Sequence, residues 1–163
     1  MKSSKAAAGG IAVGAILIVK LVAKTAFIGA IFGGAFGGAS YAKTAYETSI
    51  DHMKTEAAYY SQKHGGEMLN AYVRMDSMIV DEDRKRLIVN TTAPDVTKES
   101  LGKLKVSELA DAEKDDKDHM IFEYKSDKDV KVLFKHDWEV EFKLKTSDGE
   151  LFEDIFINSS DIL

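Results

Sequence analysis

The sequence predicts an α+β protein in which a single N-terminal transmembrane helix continues into an amphipathic helix, followed by a mainly antiparallel β-sheet domain. Residues 6–42 are apolar, and Lys20 and Lys24 are their only charges. Beyond Lys43 the chain is highly charged, and its apolar residues recur first with helical spacing and then with the two-residue spacing of strands. We therefore expect four parts: a short basic and apolar segment at the cytoplasmic interface (1–20), a transmembrane helix (21–42), a juxtamembrane helix (43–66) and a soluble α+β domain (67–163).

The apolar segment is long enough to cross a membrane once, because about twenty apolar residues in a helix span a hydrocarbon core of about 30 Å. Two alternatives stay open: a helical hairpin with arms 6–19 and 25–42, and a signal peptide cleaved after Ala42. The link between the two arms contains no Gly, Pro or Asn on which to turn. If this segment were a signal peptide, the N-terminal region before its apolar core would be unusually long and would itself be apolar. A single crossing is therefore the favoured interpretation.

The charges on either side of the span predict its direction. Lysines are the only charged residues up to Lys43, and the first acid is Glu47. Since positive residues beside a span stay on the cytoplasmic side, we expect a cytoplasmic N-terminus and a C-terminal domain on the outer or periplasmic side of the inner membrane. The residues predicted to lie at the membrane interface are Lys20, Lys24, Tyr41, Lys43 and Tyr46.

Glycine recurs every four residues inside the predicted span. This spacing lets two helix backbones approach closely, which is a common basis for helix association in lipid. We expect this face to bind another membrane subunit or a second copy of the chain. The residues predicted to form it are Gly29, Gly33, Gly37, Gly34 and Gly38.

The soluble part begins with an apolar stripe from Tyr46 to Tyr60, which predicts a helix that ends near Gly65 and Gly66. A β-hairpin is then predicted, followed by a short helix and a four-stranded antiparallel meander. In chain order, the sequence predicts strands at 68–80 and 85–92, a helix at 97–109, a solvated loop at 111–118, and strands at 120–124, 130–134, 138–146 and 151–157.

No pattern of catalytic or ligand-binding residues stands out in the sequence. The chain has no cysteine, and its four histidines do not share a metal-ligand spacing. Recognised hydrolase, metalloprotease, nucleotide and calcium motifs are all absent. The net charge is −5, and the acids lie in the soluble part, so binding to nucleic acid is not expected. We therefore predict no enzymatic activity, no cofactor and no metal.

The sequence favours a non-enzymatic accessory, scaffold or assembly subunit of a membrane protein complex. Its expected partners are membrane lipid, other membrane protein subunits and the chain itself. Two other functions stay open: a self-associating, pore-forming protein, and a secreted binding domain with a cleaved signal peptide. In layout alone, the chain resembles single-pass inner-membrane components of secretion systems and membrane-anchored respiratory assembly factors, although it shares no motif with them.

Overall fold

The computed structural model describes residues 43–68, 72–126 and 128–163. Within these ranges the chain forms one four-stranded sheet, a long helix before it, three helices between its two hairpins and a short helix at its end. The elements are α1 (Lys43–His64), β1 (Arg74–Asp81), β2 (Arg86–Ala93), α2 (Lys98–Leu101), α3 (Val106–Ser126), α4 (Lys128–Lys135), β3 (Glu139–Thr146), β4 (Leu151–Ile157) and α5 (Ser159–Ile162).

The sheet consists of two antiparallel hairpins joined side by side. Its strand order is β1-β2-β3-β4, and the central pair, β2 and β3, is parallel. Parallel neighbours need a crossover connection, which helices α2 to α4 provide. The predicted α+β class and the mainly antiparallel sheet are therefore confirmed.

The predicted four-stranded meander is wrong in its first half. Residues 111–118, expected as a loop, and 120–124, expected as a strand, both belong to α3, and the strand expected at 130–134 is part of α4. Met120 and Tyr124 are buried, but Phe122 between them is 67% exposed. Residues four apart share one face of a helix, so the alternation that suggested a strand was half of a helical pattern.

The main core lies between one face of the sheet and helices α1, α3 and α4. Its strand residues alternate with residues that point to the opposite face, as the pleat of a sheet requires. Trp138, the only tryptophan, is fully buried within it. The buried strand residues in this cluster are Met75, Met78, Leu87, Val89, Val140, Phe142, Ile155 and Ile157.

Helix α1 closes the outer edge of β1. The Ser61 hydroxyl accepts a hydrogen bond from the Met78 amide (2.8 Å) and donates one to the Met78 carbonyl (2.9 Å). Next to it, the Gly66 amide donates to the Met75 carbonyl (2.7 Å). A Cβ at Gly65 would overlap the Ser61 carbonyl oxygen at the end of the helix and would lie 3.1 Å from the Asp76 carbonyl oxygen of β1, so glycine is required at this position.

Among the helices within the described ranges, none is long and apolar enough to cross a membrane. The predicted segments 1–20 and 21–42 lie outside those ranges, so the membrane span stays a prediction.

Candidate functional site

The sheet face opposite the helices is the most distinctive surface of the described chain. Both core clusters lie on the helical side of the sheet, so the alternate strand residues form an open face. Ile79 and Phe156 lie on this face and are 50% and 37% exposed. Such exposed apolar side chains among charged ones are typical of protein-binding surfaces.

A continuous row of ion pairs crosses this open face from β2 to β4. Arg86 donates to Glu139 (2.7 Å) and to Glu141 (3.2 Å). Lys143 contacts Glu141 and donates to Asp154 (3.3 Å). We call these five residues, Arg86, Glu139, Glu141, Lys143 and Asp154, the charged row. Each cation bridges two carboxylates, which holds the side chains in fixed positions.

Phe156 extends the charged row toward the edge of the sheet. The guanidinium carbon of Arg86 lies 4.9 Å from the centre of its ring, a geometry in which cation and ring attract each other. The same guanidinium is therefore held by two carboxylates and one aromatic ring. This fixes an apolar ring beside a row of charges without covering it.

The two carboxylates that share Lys143 have pKa values moved in opposite directions. Burial alone would raise the pKa of Glu141, but Lys143 and Arg86 outweigh burial and hold that pKa below its usual value. Burial raises the pKa of Asp154, and the nearby Glu141 charge raises it further, while Lys143 only partly opposes this. The two carboxylates that share Lys143 therefore have opposite pKa shifts, because only Glu141 has a second cation beside it.

A cleft of about 410 Å³ adjoins the end of the charged row. It lies between the first half of α3 and the outer side of β4. One wall is helical and the other belongs to the strand, and the lining residues are Ala110, Glu113, Lys114, Lys117, Asp154, Ile155 and Phe156.

The arrangement suits binding better than catalysis. The side chain of Glu141 is only 5% exposed, so a substrate could not reach its carboxylate. Within the described residues, no group of three or more His, Cys, Asp or Glu side chains is placed to hold a metal ion. The charged row therefore offers fixed recognition groups and no evident reactive centre.

The predicted site residues lie elsewhere in the chain. The glycine face (Gly29, Gly33, Gly34, Gly37 and Gly38) and three of the interface residues (Lys20, Lys24 and Tyr41) fall outside the described residues. The side chains of Lys43 and Tyr46, at the start of α1, are likewise outside the description. All these assignments stay predictions.

Sequence reasoning missed the charged row as a unit. The alternation of Glu139, Glu141 and Lys143 was visible and indicates a solvent-facing side of a strand. Arg86 could not be assigned to the charged row from the sequence, because its position beside Glu139 depends on the parallel pairing of β2 with β3.

Comparison with known proteins gives little further guidance. No family model matches the chain, and no curated protein matches it significantly. A solved structure that matches is the pilotin from the Vibrio vulnificus type 2 secretion system, with 14% sequence identity and a TM-score of 0.47 over 72% of this chain and 94% of that chain. A TM-score below 0.5 does not establish a common fold, so the function has to be inferred from the chain's own surfaces.

Proposed function

We propose that this chain is a non-enzymatic accessory subunit of a membrane protein complex. Its N-terminal apolar segment would anchor it in the inner membrane through the glycine face, and its α+β domain would bind a partner protein on the outer side. The observation that carries the proposal is the open sheet face, which carries both a row of fixed charges and exposed apolar side chains.

Such a face provides both parts of a specific protein contact. Exposed apolar groups such as Ile79 and Phe156 supply burial energy, and preset charges select the partner and its orientation. Because the charged row is already held by ion pairs, little side-chain freedom is lost when a partner binds.

The anchor rests on the sequence. Residues 21–42 have the length and composition of a membrane span, and the repeated glycines suit helix packing in lipid. An anchored domain next to its partner needs only modest affinity, because anchoring raises the effective concentration of both.

Membrane extraction followed by native electrophoresis tests the proposal. Membranes from cells expressing the full chain are washed with alkaline carbonate, and the pellet is dissolved in mild detergent and run on a blue-native gel. We expect the chain to stay in the pellet, to keep its N-terminal segment, and to migrate in a complex that contains a second protein.

Matched variants then test the open face. Ile79→Glu places a charge on the open face, at a residue that is 50% exposed, and should remove the contact that the domain makes in the complex. Val106→Glu makes the same change at a residue that is 84% exposed at the start of α3, and should leave the complex intact. A chain released by carbonate, a mature chain that begins at Lys43, or a lone monomer on the gel would each contradict the proposal.

A further inference from the structure

The two edge strands of the sheet differ in whether their outward backbone groups are hydrogen-bonded. At the β1 edge, the Met75 and Met78 backbone groups are bonded to the Glu67 carbonyl, the Gly66 amide and the Ser61 hydroxyl. Unpaired backbone groups at a sheet edge invite another strand, and proteins usually cover them. The β1 edge is covered in this way.

The β4 edge is open by comparison. The Glu139 amide donates to the Lys85 carbonyl, so the odd-numbered residues of β3 face β2 and its even-numbered residues face β4. Phe142 opposite Ile155 is then a hydrogen-bonded pair, which turns the amides and carbonyls of Asp154 and Phe156 outward. None of these four groups has a backbone or side-chain partner outside the sheet in the described part of the chain.

The outward groups face the cleft beside α3. A helical wall and an open strand edge together form a groove of the kind that accepts an extended peptide as an additional strand. Ala110 contributes only a methyl group to the helical wall, which leaves width for a backbone to enter.

The helix and the strand that border the groove are rich in acids, and the groove lining itself carries two acids, Glu113 and Asp154, and two lysines, Lys114 and Lys117. From Val106 to His119, α3 carries six acids and two lysines, and the segment from Glu150 to Ile157 adds three acids and no base. Both lysines already pair with acids of this chain, Lys114 with Asp118 and Lys117 with Asp161. One carboxylate oxygen of Asp154, Oδ1, is buried and accepts no hydrogen bond from the described residues.

We propose that the β4 edge binds an extended, basic segment of a second protein as a fifth strand of the sheet. The segment would pair its backbone with Asp154 and Phe156. Side chains directly opposite on neighbouring strands lie about 5 Å apart, so a lysine or arginine would lie beside Asp154 and an apolar residue beside Phe156. This inference rests on the proposed function, because it names the kind of partner that the domain receives.

A peptide titration with matched variants tests strand addition. The probe is a fluorescently labelled nine-residue peptide of alternating valine and lysine, and its control replaces each lysine with glutamate. Phe156→Pro removes the ring and the outward amide without affecting the pairing with β3, since proline is tolerated on the free side of an edge strand. Phe156→Val removes the ring alone, so the difference between the two variants measures the amide hydrogen bond.

Filling the groove from its other wall provides a second, independent pair of variants. Ala110→Trp places a large side chain in the groove, whereas Ser107→Trp places the same side chain at an exposed position outside its lining. If Phe156→Pro fails to fold, as judged by Trp138 fluorescence, this second pair decides the question alone.

The expected result is binding of the lysine peptide to the full chain in detergent, with the dissociation constant about five- to tenfold higher for Phe156→Pro than for Phe156→Val. Ala110→Trp should weaken binding similarly and Ser107→Trp should not. We expect the glutamate peptide to bind at least about tenfold more weakly. Equal affinity across each matched pair, or for both peptides, would overturn strand addition.

Blue-native gels of the same variants separate this inference from the proposed function. A complex that survives Phe156→Pro and Ala110→Trp unchanged would overturn strand addition and leave the accessory role standing. If the two substitutions disrupt the complex but the complex contains only copies of this chain, the assignment of a second protein as the partner is overturned. A wild-type chain that forms no complex would overturn the proposed function itself.

Discussion

Lys143 lies between two carboxylates that respond to it differently. Glu141 is almost completely buried and is also held by Arg86, whereas Asp154 is at the end of the row, with one oxygen turned away from any donor in the described part of the chain. Glu141 has two cations beside it and Asp154 has only Lys143, so the effect of burial on the pKa is outweighed at Glu141 and not at Asp154. The opposite pKa shifts of Glu141 and Asp154 follow from this difference.

We expect Glu141→Gln to lower the free energy of unfolding by about 1–3 kcal/mol at pH 7, because it leaves two cations short of a partner. The folded-state pKa of Glu141 lies below its ordinary value of 4.5. Its contribution is therefore present above that value and is lost as the pH falls through the folded-state pKa. Urea unfolding followed by Trp138 fluorescence at pH 7 and in acid measures the difference, which should shrink on acidification.

Asp154→Asn is the matched substitution with the opposite expectation. The folded-state pKa of Asp154 lies above 3.8, so the stability linked to this shift is present below 3.8 and is lost as the pH rises through the folded-state pKa. Replacing this carboxylate with a neutral amide should therefore leave stability unchanged or increase it at pH 7. A loss at Asp154→Asn equal to that at Glu141→Gln would contradict the opposite pKa shifts of the two acids.

At the scale of elements, the hairpins could be predicted from the sequence and the crossover could not. The alternation in 138–146 and the Asp148–Gly149 turn identify β3 and β4, and Gly149 has the positive φ (89°) that such a turn needs. The local residue pattern is therefore sufficient to predict these two strands and the turn between them. The helical state of 110–126 and 128–135 depends on which side chains the sheet leaves room to bury, so the acid-rich run at 111–118 did not reveal it.

Two substitutions in α3 distinguish the helix from the strand that its alternation suggested. In a helix, Met120 is buried and Phe122 is exposed, whereas in a strand both would share the buried face. We expect Met120→Ala to lower the free energy of unfolding by about 2–5 kcal/mol and Phe122→Lys to change it by less than about 0.5 kcal/mol. Urea unfolding measures both, and a comparable loss at the two positions would support a strand.

Ser61 joins α1 to β1, and its role can be measured against a neighbour. The hydroxyl oxygens of Ser61 and Thr55 both lie within hydrogen-bond distance of the carbonyl oxygen four residues earlier, at 2.8 and 2.9 Å. Only the Ser61 hydroxyl also accepts a hydrogen bond from the Met78 amide, and it shares its single proton between the Ala57 and Met78 carbonyls. Ser61→Ala should lower the free energy of unfolding by about 1–3 kcal/mol, because it leaves the Met78 amide and carbonyl without a partner.

Thr55→Ala, which removes only the bond within the helix, is the control for Ser61→Ala. Its effect should stay below about 0.5 kcal/mol. Equal losses in thermal unfolding of the two variants would show that Ser61 does not close the β1 edge.

At the scale of the whole molecule, an acidic α+β domain follows a basic, apolar segment. The sequence alone indicates this division, because no acid precedes Glu47. The candidate site could not be predicted in the same way, since the charged row and the open β4 edge arise only when the parallel pairing of β2 with β3 sets the strand order. The proposed binding role combines the predicted membrane anchor with the open side of the sheet.

Photo-crosslinking in native membranes tests the binding role most directly. A benzoylphenylalanine is placed at Phe156 on the open side, and in parallel at Tyr59, an exposed residue of α1 (48%). We predict that illumination links position 156 to one second protein and that position 59 gives no such product. Absence of any product at position 156, in membranes that retain the chain, would contradict the account.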